Sequence, residues 1–284
     1  MFTNNSTPQY STLFSLINSK IMNKLILTFS ILVAFVACQS SGKFVYRDVP
    51  NTPAAGFNTE GSDAQAIALA DSVMKACGGR YAWDQTRFIR WTFFTNRTLL
   101  WDKTKNRVRI DFVKEDLKML LNLSDMTGKV WKNGEMFTQA DSIKKYLERG
   151  KSIWINDSYW LVMPFKLKDS GVTLKYLGKR KNAVDSECDV LEVTFKSVGN
   201  TPDNKYFVYV NPSSKLVVQW DYFKKYDDVK PSISTPWADY RGLGNIMLAV
   251  SRGEGRSMAP MGVYKSIPDS AFTKFSVLDW SKIK

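Results

Sequence analysis

Polar and apolar side chains alternate strictly through Arg107-Val108-Arg109-Ile110-Asp111-Phe112. A period of two marks a half-buried strand, with one face on a core and the other in water. Leu117, Met119, Leu121 and Leu123 repeat the pattern. Between Thr86 and Lys132, short runs of β-branched and aromatic residues are divided by turn chemistry. These runs predict antiparallel strands at 87–97, 99–102, 107–114, 117–123 and 127–132, joined by turns at 103–106 and at Asn133-Gly134. A second set is expected at 172–179, 189–196, 205–210 and 215–225, with further strand-like pieces from Trp237 to Leu248 and at Tyr264 and Phe272. The basic run Lys179-Arg180-Lys181 suits a hairpin tip.

The period changes to that of a helix at two places. Ile67, Ala70, Met74 and Cys77 share one face of an Ala-rich segment that Ser62 would cap and Gly78-Gly79 would end. Ile143, Tyr146 and Leu147 form a stripe between Thr138 and Arg149, and Gly150 follows as an expected terminator. Beyond it, residues 153–165 concentrate aromatic and soft side chains, as a helical lid across a sheet would, or as ordinary core would.

Ahead of the first helix, residues 38–62 have no apolar period and carry Pro50-Asn51-Thr52-Pro53, which reads as a flexible tether. Residues 22–38 have the form of a bacterial export signal ending in a lipid-attachment cysteine. Lys24 is followed by the apolar run Leu25 to Phe35, then Val36, Ala37 and Cys38. The run is too short to span a bilayer as a stable helix. On this reading Met22 is the true start, residues 1–37 form the signal region, and acyl chains on Cys38 hold the protein to a membrane. A plain secreted protein and an uncleaved anchor helix are the alternatives.

Composition then bounds the domain expected at 63–284. With 44% hydrophobic and 13% aromatic residues, the chain can bury one sizeable core without a second domain. The formal charge of +13 falls to about +11 once Lys20 and Lys24 leave with the signal. Export makes anionic lipid headgroups a more sensible partner than nucleic acid, the basic residues are scattered along strands without a nucleic-acid reader's clustered motif, and solvated sheet faces suit them equally well. Cys77 and Cys188 can pair in an oxidising compartment or serve as two separate core residues.

There is no histidine. Its absence removes the usual general base and the commonest zinc ligand. Ser72 with Lys75 and Ser142 with Lys145 match Ser-x-x-Lys but lack companion motifs, and surface helix positions explain both. Asp185, Glu187 and Asp189 alternate without the glycine-containing loop of a calcium site, so an exposed hairpin fits them better. No catalytic, cofactor or metal residue is assigned.

The stretches Trp131-Lys132-Asn133-Gly134, 159–165, 190–195, 206–210 and 216–220 occur within an order of one helix, a long antiparallel run, central helices and a second antiparallel run. This order resembles the LolA/LolB-type outer-membrane lipoprotein-sorting fold. The resemblance implies an α+β incomplete antiparallel β-barrel, covered by a few helices around an apolar cavity, over residues 63 to the C-terminus. It also implies a non-catalytic periplasmic lipoprotein on the outer membrane that takes a lipid, acyl chain or lipoprotein. Cavity residues expected on this reading are Trp91, Phe93, Trp101, Leu121, Leu123, Trp131, Tyr159 and Trp160. An envelope interaction or stress-sensor protein with a filled core is the alternative, and a histidine-free hydrolase a second one.

Overall fold

Six strands, β1 (Phe88–Phe93), β2 (Arg97–Asp102), β3 (Arg107–Phe112), β4 (Leu117–Asn122), β5 (Gly128–Lys132) and β6 (Glu135–Met136), follow one another as antiparallel neighbours in a single sheet. This is a computed structural model, and it describes residues 47, 49–196, 199 and 203–283. The proposed signal region and Cys38 lie outside the described residues. The described residues belong to one unit, residues 44–284.

The turns have the chemistry their geometry requires. Asn133 and Gly134 both take positive φ, 53° and 87°, which makes the two-residue hairpin between β5 and β6. Alternation puts Val108, Ile110, Met119, Leu121 and Val130 into one core on the inner face. The other face is not the wet face that the alternation of Arg107 to Phe112 predicts. A strand β14 (Gly262–Tyr264) pairs with β1, and the chain beyond it lies across the outer side of the sheet. There Ile267, Ala271 and Phe272 pack with Phe88 and Leu100. Arg109, 4% exposed, donates to the carbonyls of Ala271 and Lys274, and Arg107 lies over the Phe272 ring. Buried Asp102 takes both Arg87 and Arg107. Burial works against its ionised form, but those hydrogen bonds and the Lys105 N–H outweigh it and hold the carboxyl below the usual range.

A second sheet runs β11-β10-β9-β8-β7, built from β7 (Val172–Lys181), β8 (Glu187–Phe195), β9 (Lys205–Val210), β10 (Val217–Phe223) and β11 (Ile233–Pro236). β12 (Ala238–Leu243) and β13 (Ile246–Ser251) form a separate hairpin. Among the described residues no sheet closes on itself, and the architecture is an open α+β half-barrel. The basic run Lys179-Arg180-Lys181 ends β7 beside its turn, as expected.

The helices differ from their expected limits in informative ways. Helix α1 (Ala64–Ala76) has Asp63 as its N-cap residue. Ser62 instead accepts from the Leu174 N–H and donates to the Asn58 carbonyl, pinning the helix start to β7. Gly78, at φ 111°, leads into α2 (Gly79–Gln85), and a Cβ on it would meet the Asn245 carbonyl at 2.3 Å. The segment before α1, expected as tether, is docked from Asn51 onward. Asn51 bonds Asp71, and the N–H groups of Ala54, Asn58 and Asp63 donate to Lys168, Val172 and Leu174.

Helix α3 (Ala140–Val162) does not stop at Gly150. It runs on through the aromatic stretch into a 3-10 turn, Met163–Lys166, where Pro164 sits. Gly150 is buried and faces the sheet, where an added Cβ would lie 3.1 Å from Met119 Sδ and 3.4 Å from Leu121. The glycine is a point of close approach between helix and sheet.

Candidate functional site

Helical spacing places Trp154 beside Ser158, and Ile155 beside Tyr159, along the last turns of α3. Facing them are Val172 at the start of β7, Phe195 at the end of β8 and Tyr206 on β9, with Trp101 of β2 at one side. Between these walls is a cleft of about 380 Å³, rimmed by Lys166, Asp169, Ser170 and Asn204. The walls are chiefly aromatic. Tyr159 stacks on Trp220 at 5.8 Å and meets Phe195 edge-on at 6.0 Å, while Tyr206 stacks on Trp220 at 4.8 Å.

Two buried ion contacts fix the helix that forms one wall. Arg97 grips Asp157 through both carboxylate oxygens, at 2.7 and 2.8 Å, and Asn156 donates to the same carboxylate. Burial pushes the Asp157 carboxyl up, and Arg97 pulls against that shift. At the helix end, Arg252 donates to the Trp160 carbonyl at 2.6 and 3.1 Å while lying 3.6 Å over the Trp237 ring. A cation there satisfies a carbonyl that the helix itself leaves unpaired and matches the negative end of its dipole.

The ionisable groups around the cleft are few. Lys166 is paired with Asp169. The Tyr159 and Tyr206 phenols are both raised above their ordinary range, by burial first. Both are therefore neutral O–H donors at physiological pH. Such a site can hold an apolar body and offer two donors to an oxygen acceptor.

The residues expected to line a cavity are divided between three places. Trp101, Tyr159 and Trp160 line the cleft. Trp91, Phe93, Leu121 and Leu123 are packed in the continuous core, with Trp91 fully buried. Trp131 lies on the outer face, where its Nε1 donates to Asp116 and its ring meets Phe275 at 5.9 Å. Trp154, Phe195 and Tyr206 join the cleft without having been singled out for it. Trp154 belongs to the aromatic stretch of α3, and the other two stand in strands that pattern alone marks as inward-facing.

The remaining sequence signals resolve locally. Cys77 and Cys188 are free, buried thiols in separate clusters, and burial pushes Cys77 up to about 12. Ser72 donates to the Ala68 carbonyl and Ser142 to Gln139. Glu187 and Asp185 are paired with Lys179 and Lys181 across an exposed hairpin, and Asp189 accepts from the Tyr176 hydroxyl.

No protein-family model and no curated protein matches the chain. Among solved structures it is similar to a DUF1329 family protein from Desulfovibrio piger, with a TM-score of 0.39 and 11% identity over 73% of this chain and 96% of the other. It is also similar to a putative outer membrane lipoprotein-sorting protein domain from Vibrio parahaemolyticus (TM-score 0.37, 8% identity, 74% and 97% covered). A third is a LolA superfamily protein from Nitrosomonas europaea (0.31, 10%, 72% and 97%). At these scores the reading of the cleft rests on its own geometry.

Proposed function

We propose that the protein is a non-catalytic binder of a lipid or acyl chain, anchored through Cys38 to the outer membrane and facing the periplasm. One observation carries the binding role: an aromatic-walled cleft of about 380 Å³ whose lysine is already ion-paired and whose two phenols are kept neutral by burial. Aromatic and aliphatic walls suit a hydrocarbon chain, and the Tyr159 and Tyr206 hydroxyls suit the ester or carboxyl oxygen at its head. A lipoprotein's acyl chains meet the same description.

Native mass spectrometry of the purified protein, together with uptake of a fluorescent fatty acid, tests the reading. A co-purified lipid or saturable uptake is expected. Replacing both phenols, Tyr159→Phe with Tyr206→Phe, is expected to weaken uptake roughly tenfold without unfolding the domain. Neither co-purified lipid nor uptake in repeated preparations overturns the binding role. The filled centre of the half-barrel, where Trp91, Leu121 and Val130 leave no exposed surface to speak of, favours a second reading: an envelope protein that engages a partner by its outer surface. Capture of one consistent partner by a protein without lipid uptake decides for that reading.

A further inference from the structure

On the outer face of β4 and β5, a groove of about 470 Å³ that shares no lining residue with the cleft runs beneath residues 273–276 of the chain that crosses the sheet. Its floor is Trp131 and Phe275, with Met136 at one side, and Lys118, Lys129 and Lys274 converge on it. No carboxylate lines it. Asp116, which accepts from the Trp131 indole N–H and the Gly134 N–H, stands 4.0 Å from the Lys118 ammonium. Glu135 precedes Met136 in β6, so strand alternation turns it to the opposite face. Two apolar side chains project beside the lysines: Met136 is 51% exposed, and Val277, next to the groove residue Ser276, is 92% exposed.

We propose that this face docks the protein on an anionic phospholipid surface. Three ammonium groups around the groove, of which Lys118 is only loosely paired with Asp116 and Lys129 donates to the neutral Thr273 carbonyl, complement headgroup phosphates, and each basic residue near such a surface adds severalfold to partition. Met136 and Val277 present exposed apolar surface beside the lysines, and the acyl boundary of a bilayer would bury it. Trp131, with an apolar ring and a polar N–H, has the amphipathic character of residues found at membrane interfaces. This inference stands apart from the cleft and from acylation of Cys38.

Vesicle flotation of the full chain carrying Cys38→Ser, so that no acyl group holds it, tests the inference. Vesicles of phosphatidylcholine are compared with the same vesicles containing roughly 30% phosphatidylglycerol. The protein is expected to float with the anionic vesicles and to be released by salt. Lys118→Gln with Lys129→Gln and Lys274→Gln is expected to weaken partition roughly a hundredfold. The charge-matched control, Lys179→Gln with Arg180→Gln and Lys181→Gln, is expected to change it far less. Met136→Ser, at an exposed position that leaves folding intact, is expected to weaken it severalfold. Equal losses in the two triple variants would mean diffuse charge attraction and overturn the docking face. No preference for anionic vesicles overturns it as well, and so does release by millimolar inorganic phosphate at constant ionic strength, which would mark a small-anion site.

Discussion

Arg252 donates two hydrogen bonds to the main-chain carbonyl of Trp160, which joins the β12–β13 hairpin to the last turn of the helix over the cleft. Arg252 is 1% exposed and has no carboxylate partner among the described residues. Its other contacts are the Ala249 and Ser251 carbonyls and the face of Trp237. Replacing Arg252 with Gln leaves the Trp160 carbonyl without its charged donor in a closed environment. A loss of about 2–4 kcal/mol in urea unfolding is expected, with weaker fatty-acid uptake because Tyr159 and Trp160 lose their fixed position.

The Arg97 and Asp157 pair predicts a non-additive result. Asp157→Asn strands a guanidinium that is largely buried, and Arg97→Met strands a carboxylate with no exposed surface. Each single change is expected to cost about 3–5 kcal/mol, whereas Arg97→Met combined with Asp157→Leu costs less than either. Chemical denaturation of the four proteins measures the coupling, and simple addition of the single losses would refute it.

The burial of Lys103 predicts a pH dependence of stability whose sign follows from its lowered pKa. Its ammonium lies 3.4 Å over the Trp83 ring and donates to the Trp83 carbonyl, and burial lowers its pKa to about 7 from an ordinary 10.5. Between those values the unfolded chain binds more protons than the folded one, so stability rises as pH rises from about 7 toward 10.5 and the penalty is complete below 7. Melting temperatures across that window are expected to climb for the parent protein, and the contribution from this residue is absent in Lys103→Met. Parallel curves for the two proteins would contradict the assignment.

At Gly150 the helix pays for closeness to the sheet with a poor helix former. Alanine there gains about 1 kcal/mol of helix propensity but must displace Met119 Sδ from 3.1 Å, so Gly150→Ala is expected to be nearly neutral. Gly150→Val has no such offset and is expected to lose about 1–3 kcal/mol by overpacking, read from the denaturation midpoint.

The two thiols are expected to leave the intact mass unchanged on reduction and to resist alkylation until the chain unfolds. A two-proton mass increase with reductant would contradict the separate placement of Cys77 and Cys188.

The middle of the first sheet is legible because β3 and β4 keep a period of two. The helix over it was misread at one residue, since glycine after a helical stripe is normally a terminator and only the neighbouring Met119 and Leu121 reveal Gly150 as a contact point. Pattern identifies Trp91 and Trp101 alike as inward-facing. It does not tell that the first is closed over by core and the second borders open space, because that depends on what α3 and the second sheet bring opposite. The cover on the outer face was invisible for a related reason. Its apolar residues Ile267, Phe272 and Trp280 are sparse and lack a period, and they pack on arginines that read as solvent-facing.

That cover also sets an order of events. Arg109 and the Lys274 carbonyl are 165 positions apart, so a chain emerging in sequence completes every strand of the first sheet from β2 to β6 long before the segment that shields it exists. During that interval the face carrying Phe88, Leu100 and the arginines is open, and the nascent protein is most exposed to aggregation or to a chaperone that recognises apolar surface beside positive charge.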